Sequence, residues 1–494
     1  MSSSTTRRDF LVRSALSLAA VPRTLTSDAA STNAAILPGN KKVDPPTATE
    51  TGGKVAIWIT DRQRRYAPLE PLDWNSSPGK PENPRPGDTI VLAPARKFQD
   101  VLGFGGCFSD AACWVLSKLR QPTRANLFHE LFDPSEMGFN VCRMSIGAAD
   151  SAATVYSFDE GPPDPELARF SIDHDRAYII PVMKEALAVN PEIFYFGSPW
   201  SPPGWMKWNG SMLGGAMMRQ YLAPYAKYFL KYIQQYRDAG VPIRAITVQN
   251  EIDTDQHGLM PACIWSQECE NEFVIDHLGP LFQATGTQTE IWTLDHNFEL
   301  WGRPASQFGN AEFRQYVKGI AWHPYRGDPS MISRVHNEFP DVKMYFTEGS
   351  TDYNDPHYLD DWNVWSATYT DVLRNWCRCV TAWNMATDQN GRPNIGPYAC
   401  GGMMIINPDT QEVIRSGQYW TFAHYSRHVR RGARRFDSQS ASTDMKHVAF
   451  ENPDGKKVLV LTNTGAKRTV DVQSDGNSLR VPLEENALAT LVWD

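Results

Sequence analysis

The sequence predicts an α/β fold, a (β/α)8 TIM barrel with an attached β-sandwich domain built from both chain ends. Three observations carry this expectation. Eight short apolar runs in the middle of the chain alternate with longer segments of helical period, the pattern of parallel strands joined by helical crossovers. Both ends of the chain read instead as alternating strands and hairpins, and two such pieces reconcile most simply as one sandwich beside the barrel. The 494 residues suffice for one large barrel and a smaller companion.

From the N-terminus, residues 1–30 contain "STTRRDFLVRSALSLAAVP", which resembles a twin-arginine export signal. Arg7 and Arg8 precede Phe10, Leu11 and an apolar stretch too short and too polar to span a bilayer. The expected location is therefore periplasmic or extracellular. Residues 31–52, with "KKVDPPTATETGG", show no apolar period and read as a linker. The N-terminal part of the sandwich is expected over 53–99, where "KVAIWITD" and "DTIVLA" alternate on either side of a Pro-rich loop.

The barrel is expected over 100–429, with strands at "VLGFGGCFS" (101–109), "NVCRMSIG" (140–147), "IFYFGSPW" (193–200), "IRAITVQNE" (243–251), "EIWTLDHN" (290–297), "VKGIAWHPY" (317–325), "KMYFTEGS" (343–350) and "VTAWNMATD" (380–388). Between the third and fourth, Leu222, Tyr225, Phe229, Tyr232, Ile233 and Tyr236 share one helical stripe, and Gly240 is placed to end it. Residues 430–494 return to hairpins: "MKHVAF", "KVLVLTN", "RTVDVQ", "SLRVPL" and "ALATLVWD", with turns such as "ENPDGK".

The net charge of −8 argues against the broad basic surface that a nucleic acid partner requires. An aromatic-rich composition, with 16 Trp, 18 Tyr and 22 Phe, supplies flat apolar faces suited to sugars. The eight cysteines have no C-x2-C repeat of a zinc site and read as buried thiols. No metal-ligand spacing and no dinucleotide fingerprint is present, so neither a metal nor another cofactor is expected.

In a barrel of this kind the C-terminal strand ends meet in one mouth. The polar residues that close the runs are Asp110, Arg143, Trp200, Asn250, Glu251, Asp295, His296, His323, Tyr325, Glu348, Trp383 and Asn384. Glu251 and Glu348 end strands four and seven, three apart in a ring of eight, so they are expected to face each other. A carboxyl pair about 5–5.5 Å apart performs retaining glycoside hydrolysis, one as nucleophile and the other as acid and then base. Glu251 is expected to hold the proton, favoured by burial and by the charge of Glu348, while Arg143 keeps Glu348 ionised. Asn250 is placed to bond the sugar 2-hydroxyl. Trp205 reads as packing, and Asp253 and Asp255 as solvated loop charges.

The ordered set "LGFGGCFSDAA", "GSPWSPPGWMK", "TVQNE", "MPACIWSQE", "AWHPY" and "YFTEGS" resembles the successive motifs of glycoside hydrolase family 30, which includes the glucosylceramidases. The resemblance runs from about residue 100 to the final "LATLVWD". It implies a retaining β-glycosidase on a barrel with a β-sandwich, without a metal, acting on a β-linked glucoside or glycan. It places Glu251 as acid/base, Glu348 as nucleophile, Asp110, Trp200, Asn250 and Trp383 against the terminal sugar, and Arg143 and His323 in the same pocket. The leading expectation is a glucosylceramidase-like enzyme, with peripheral membrane contact. The alternatives are an endo-β-1,6-glucanase or β-xylanase of the same family and, outside enzymes, a carbohydrate-binding protein on a barrel scaffold. Ile252, where many relatives have proline, and "NIGPYACGGMMIINPD" depart from the family pattern, on the side where the leaving group sits.

The export expectation is tested by replacing Arg7 and Arg8 with lysine. Precursor should then accumulate in the cytoplasm, and mature protein appearing outside at the normal rate would contradict it.

Overall fold

Alternation with period two decides what lines the inside of the barrel. The computed structural model describes residues 53–75 and 87–494; the export signal, the linker and most of the Pro-rich loop lie outside the described residues. Eight strands close into a parallel barrel: β1 (Gly103–Phe108), β2 (Val141–Ser145), β3 (Phe194–Ser198), β4 (Ile243–Thr247), β5 (Glu290–Asn297), β6 (Val317–His323), β7 (Lys343–Phe346) and β8 (Cys377–Ala382). Val141, Phe196, Ala245, Trp292, Tyr345 and Cys379 form a buried apolar plug, with the Trp292 and Tyr345 rings stacked at 3.9 Å. Two residues further along five of these six strands stand Arg143, Ser198, Thr247, Thr347 and Thr381, all buried. The same inward face therefore changes from apolar to polar in one step toward the mouth.

The sixth strand, β5, breaks this parity. Continuing from Trp292, Leu294 would point inward, but it packs in the outer core instead. The register against β6 shifts between Leu294 and His296, and Leu294 and Asp295 take φ values of 72° and 49°. Left-handed backbone at two consecutive non-glycine residues is costly, and such bulges re-aim a side chain. Here the bulge turns Asp295 into the barrel.

The eighth strand ends earlier than its pattern suggests. Ala386–Asp388 leaves the barrel and pairs with Met404–Ile406 in a separate three-stranded sheet. Trp383 and Asn384 sit at the break. The helix Leu222–Asp238 buries all six residues of its expected stripe, and Gly240, at φ 89°, follows it in the left-handed conformation that glycine adopts without penalty.

The two chain ends join one sheet. Lys54–Thr60 pairs antiparallel with Leu488–Trp493, and Thr89–Asp100 lies between Arg434–Gln439 and Arg468–Ser474. Val55, Ile57, Ile90, Leu459, Leu461, Val470 and Leu491 share its core. The barrel helix Gly417–Ser426 carries His424, whose two ring nitrogens bond Thr490 Oγ1 at 2.9 Å and Thr60 Oγ1 at 2.8 Å. One buried imidazole thus ties the first and last strands to the barrel. Burial pushes its pKa down to about 3, so it serves as a neutral ring able to donate to one threonine and accept from the other. All eight cysteines are buried free thiols. Among the described residues no helix is long and apolar enough to cross a membrane.

Candidate active site

Asp295 is the acceptor around which the polar layer is built. Its carboxylate accepts from Arg143 Nη2 (2.7 Å), Ser198 Oγ (2.7 Å), Thr247 Oγ1 (2.8 Å), Thr347 Oγ1 (2.7 Å) and His323 Nε2 (3.0 Å). These donors come from β2, β3, β4, the end of β7 and β6. Burial alone would push the Asp295 pKa up, but Arg143, His323 and Ser198 hold it well below the ordinary carboxylate range. Sequence reasoning placed Asp295 at a strand end without a role. Its signal was the set of hydroxyls closing neighbouring strands, Ser198, Thr247 and Thr347.

Arg143, fully buried, spends its guanidinium on acceptors from four strand ends. Besides Asp295, Nη1 donates to Glu348 Oε2 at 2.5 Å, Nη2 to Asn250 Oδ1 at 2.7 Å, and Nε to Ser198 Oγ at 3.2 Å. Burial opposes its charge, yet Asp295 and Glu348 raise its pKa above the ordinary arginine value. The planar fork suits such multiple acceptors, where a lysine would offer a point charge. Tyr325 OH donates to the other Glu348 oxygen at 2.7 Å.

Glu251 lies four residues past β4, on backbone bent at φ 50°. Its amide donates to Asp295 O at 3.0 Å, and the preceding amide, of Asn250, to Pro199 O at 2.8 Å. The neighbouring strand ends thus hold the bend in place. His323 Nδ1 stands 3.7 Å from Glu251 Oε1 and 3.8 Å from Glu348 Oε1, so the two expected carboxyls flank one imidazole nitrogen. Burial works against the His323 cation, but Glu348, Asp295 and Glu251 together raise its pKa to about 9. At neutral pH the ring is an imidazolium. Glu251, His296 and His323 do bring ligand-type atoms within 4.8 Å of one another.

The expected sugar-binding side chains line the same mouth. Trp200 and Trp383 pack with ring centroids 4.6 Å apart, and the Arg143 guanidinium lies 4.7 Å and 5.6 Å from their centroids. Trp200 Nε1 and Trp383 Nε1 are buried donors with no hydrogen-bond partner in the protein. Buried groups of this kind are normally satisfied, so two such donors on a packed pair at the mouth suit a polar ligand. Asp110 starts the helix Asp110–Ser117 and accepts from Tyr178 OH, a partner the sequence did not suggest. Trp205 packs, donating to Asp159 O at 2.8 Å. Asp253 is an exposed loop charge, as expected, and it also pairs with His296 Nε2 at 2.7 Å.

Comparison with known proteins agrees with this geometry. The model of the glycosyl hydrolase family 30 TIM-barrel domain matches residues 101–429, and that of the family 30 beta sandwich domain matches 432–491. The chain belongs to glycosyl hydrolase family 30. It is 31% identical over 395 residues to an endo-1,6-beta-D-glucanase of Neurospora crassa, covering 76% of this chain and 81% of that protein. Identity to the lysosomal acid glucosylceramidase of Mus musculus is 27% over 402 residues, covering 77% and 78%. Among solved structures, the endo-beta1,6-glucanase BT3312 superposes with a TM-score of 0.79 at 28% identity, covering 89% of this chain and 100% of that one.

Removing the acceptor at the centre tests the arrangement. Asp295→Asn leaves Arg143 and His323 short of their shared anion, and breaking a buried pair of this kind costs about 3–5 kcal/mol. A clear drop in Tm is expected, and an unchanged Tm would contradict the arrangement. His323 has its folded pKa raised from 6.5 to about 9. Its contribution is thus fully present below pH 6.5 and is lost as the pH rises through 9. The Tm difference between wild type and His323→Gln should shrink over that window.

Proposed function

We propose that this family 30 glycosidase is a retaining endo-β-1,6-glucanase. The observation that supports the mechanism is the pair Glu251 and Glu348, buried and flanking His323 Nδ1, with Arg143 bound to Glu348. Arg143 and Tyr325 each donate to one of the two oxygens of Glu348 and fix its orientation, as a nucleophile requires. Two cations, Arg143 and the His323 imidazolium, balance the anions Asp295 and Glu348. A third carboxyl, Glu251, leaves the cluster neutral only when protonated, as a general acid must be.

In the first step Glu348 attacks the anomeric carbon while Glu251 gives its proton to the departing glycosidic oxygen. In the second, Glu251 takes a proton from water, which attacks the same carbon and releases Glu348, so two inversions give net retention. Asn250, with its oxygen held by Arg143, offers amide hydrogens to the sugar 2-hydroxyl as charge develops. Trp200, Trp383 and Asp110 hold the sugar.

The substrate assignment rests on the relatives. The endo-1,6-glucanase of Neurospora crassa is more similar to this chain than the mouse glucosylceramidase, and BT3312 shares its fold over its whole length. The likeness therefore favours the glucanase alternative over the glucosylceramidase-like expectation. Incubation with β-1,6-glucan should release gluco-oligosaccharides, and cleavage of glucosylceramide without activity on β-1,6-glucan would overturn the assignment.

The roles are separable by mutation. Glu348→Gln should lower turnover by several orders of magnitude on every substrate. Glu251→Gln should fail on poor leaving groups yet form the glycosyl-enzyme from activated aryl glucosides, and azide should then release a β-glucosyl azide. An α-azide from the Glu251 variant would mean that the roles are exchanged.

A further inference from the structure

Gln256 lies in the loop that follows Glu251 at the end of β4, and Tyr398 in the stretch "NIGPYACGG". In the fold they meet. Gln256 Nε2 donates to Glu251 Oε2, and Tyr398 OH donates to Gln256 Oε1 at 2.7 Å. Each end is braced in its own loop. Gln256 begins a 3-10 turn in which Asp255 Oδ1 accepts from the amide of His257 at 3.0 Å. Tyr398 is held through its carbonyl by Asn394 Nδ2 at 2.6 Å, and the Ala399 carbonyl by the Tyr353 amide at 2.7 Å. The Tyr398 ring packs against the cluster that contains Trp200 and Trp383.

We propose that Gln256 and Tyr398 are positioning residues that direct the catalytic proton of Glu251 to one oxygen. Gln256 Nε2 donates to Oε2 at hydrogen-bond distance, whereas His323 Nδ1 stands 3.7 Å from Oε1, too far for one, so the proton is carried on Oε1. The tyrosine hydroxyl, by donating to Oε1 of Gln256, fixes which way the amide points. Without the pair, the acid rotates or carries its proton on the wrong oxygen. Neither residue touches the reacting atoms in this arrangement.

The proposal rests on Glu251 being the acid/base, so Glu251→Gln is measured alongside. The probe is a series of aryl β-glucosides of graded leaving-group ability, with kcat/KM followed against pH. Gln256→Ala should lose about 10- to 100-fold on the poorest leaving groups, as displaced general acids do, and little on the most activated. Tyr398→Phe, which removes one oxygen and keeps the ring, should move in the same direction by less. The alkaline limb should shift to higher pH in both, because a donor to the ionised carboxyl is lost or loosened. Glu251 also faces His323 from β6 and His296 from β5, and Glu348 across His323, with Arg143 behind it. These are unchanged in both variants.

A uniform loss across leaving groups with an unmoved limb would mean a merely structural role and overturn the proposal. So would wild-type behaviour in both variants. If Glu251→Gln itself shows no leaving-group dependence, the acid/base reading fails. If it does and the other two do not, only the positioning role fails.

Discussion

The buried contact between Arg143 and Asp295 is the constraint on which the site depends. A guanidinium inside a barrel is tolerated only with its donors matched, since removing charges from water costs several kcal/mol each. Asp295 supplies the anion, and the hydroxyls of Ser198, Thr247 and Thr347 share its remaining capacity. Once that pair is fixed, the remaining guanidinium donors serve Glu348, Asn250 and Ser198. The position of the nucleophile and of the residue beside the acid is therefore set by a salt bridge that takes no part in the chemistry.

The same anion sets the charge state around the acid. Asp295 holds the His323 ring from behind and, with Glu348, raises its pKa. The imidazolium then presents its second N–H between the two glutamates. Protein dipoles and charges arranged in advance, in a site closed to water, stabilise developing charge more than mobile solvent does. The backbone bears part of this cost, with left-handed conformations at Glu251, Leu294 and Asp295.

Much of this was legible in the sequence because it follows regular periods. Strand alternation located the eight barrel strands and the hairpins at both ends, and the strand-end rule gathered Glu251, Glu348, Arg143, Asn250, His323 and Tyr325 at one mouth. What the periods left without a role breaks them, and Asp295, though placed at the mouth, was one such residue. Asp295 points inward only because a bulge in β5 shifts the phase after Trp292. The eighth strand stops at Ala382 because the chain diverts into a small sheet after Trp383. Gln256 and Tyr398 lie in loops without any period, and their meeting at Glu251 is a fact of tertiary structure alone.

The assignment of the nucleophile is the claim on which the mechanism turns. It is tested most directly by trapping the covalent intermediate. Incubation with an activated 2-deoxy-2-fluoroglucoside slows both steps, and the good leaving group lets the glycosyl-enzyme accumulate. Mass spectrometry of the digested protein should then find one added fluoroglucosyl group, on the peptide containing Glu348. An adduct on Glu251, or inactivation without any covalent adduct, would contradict the account.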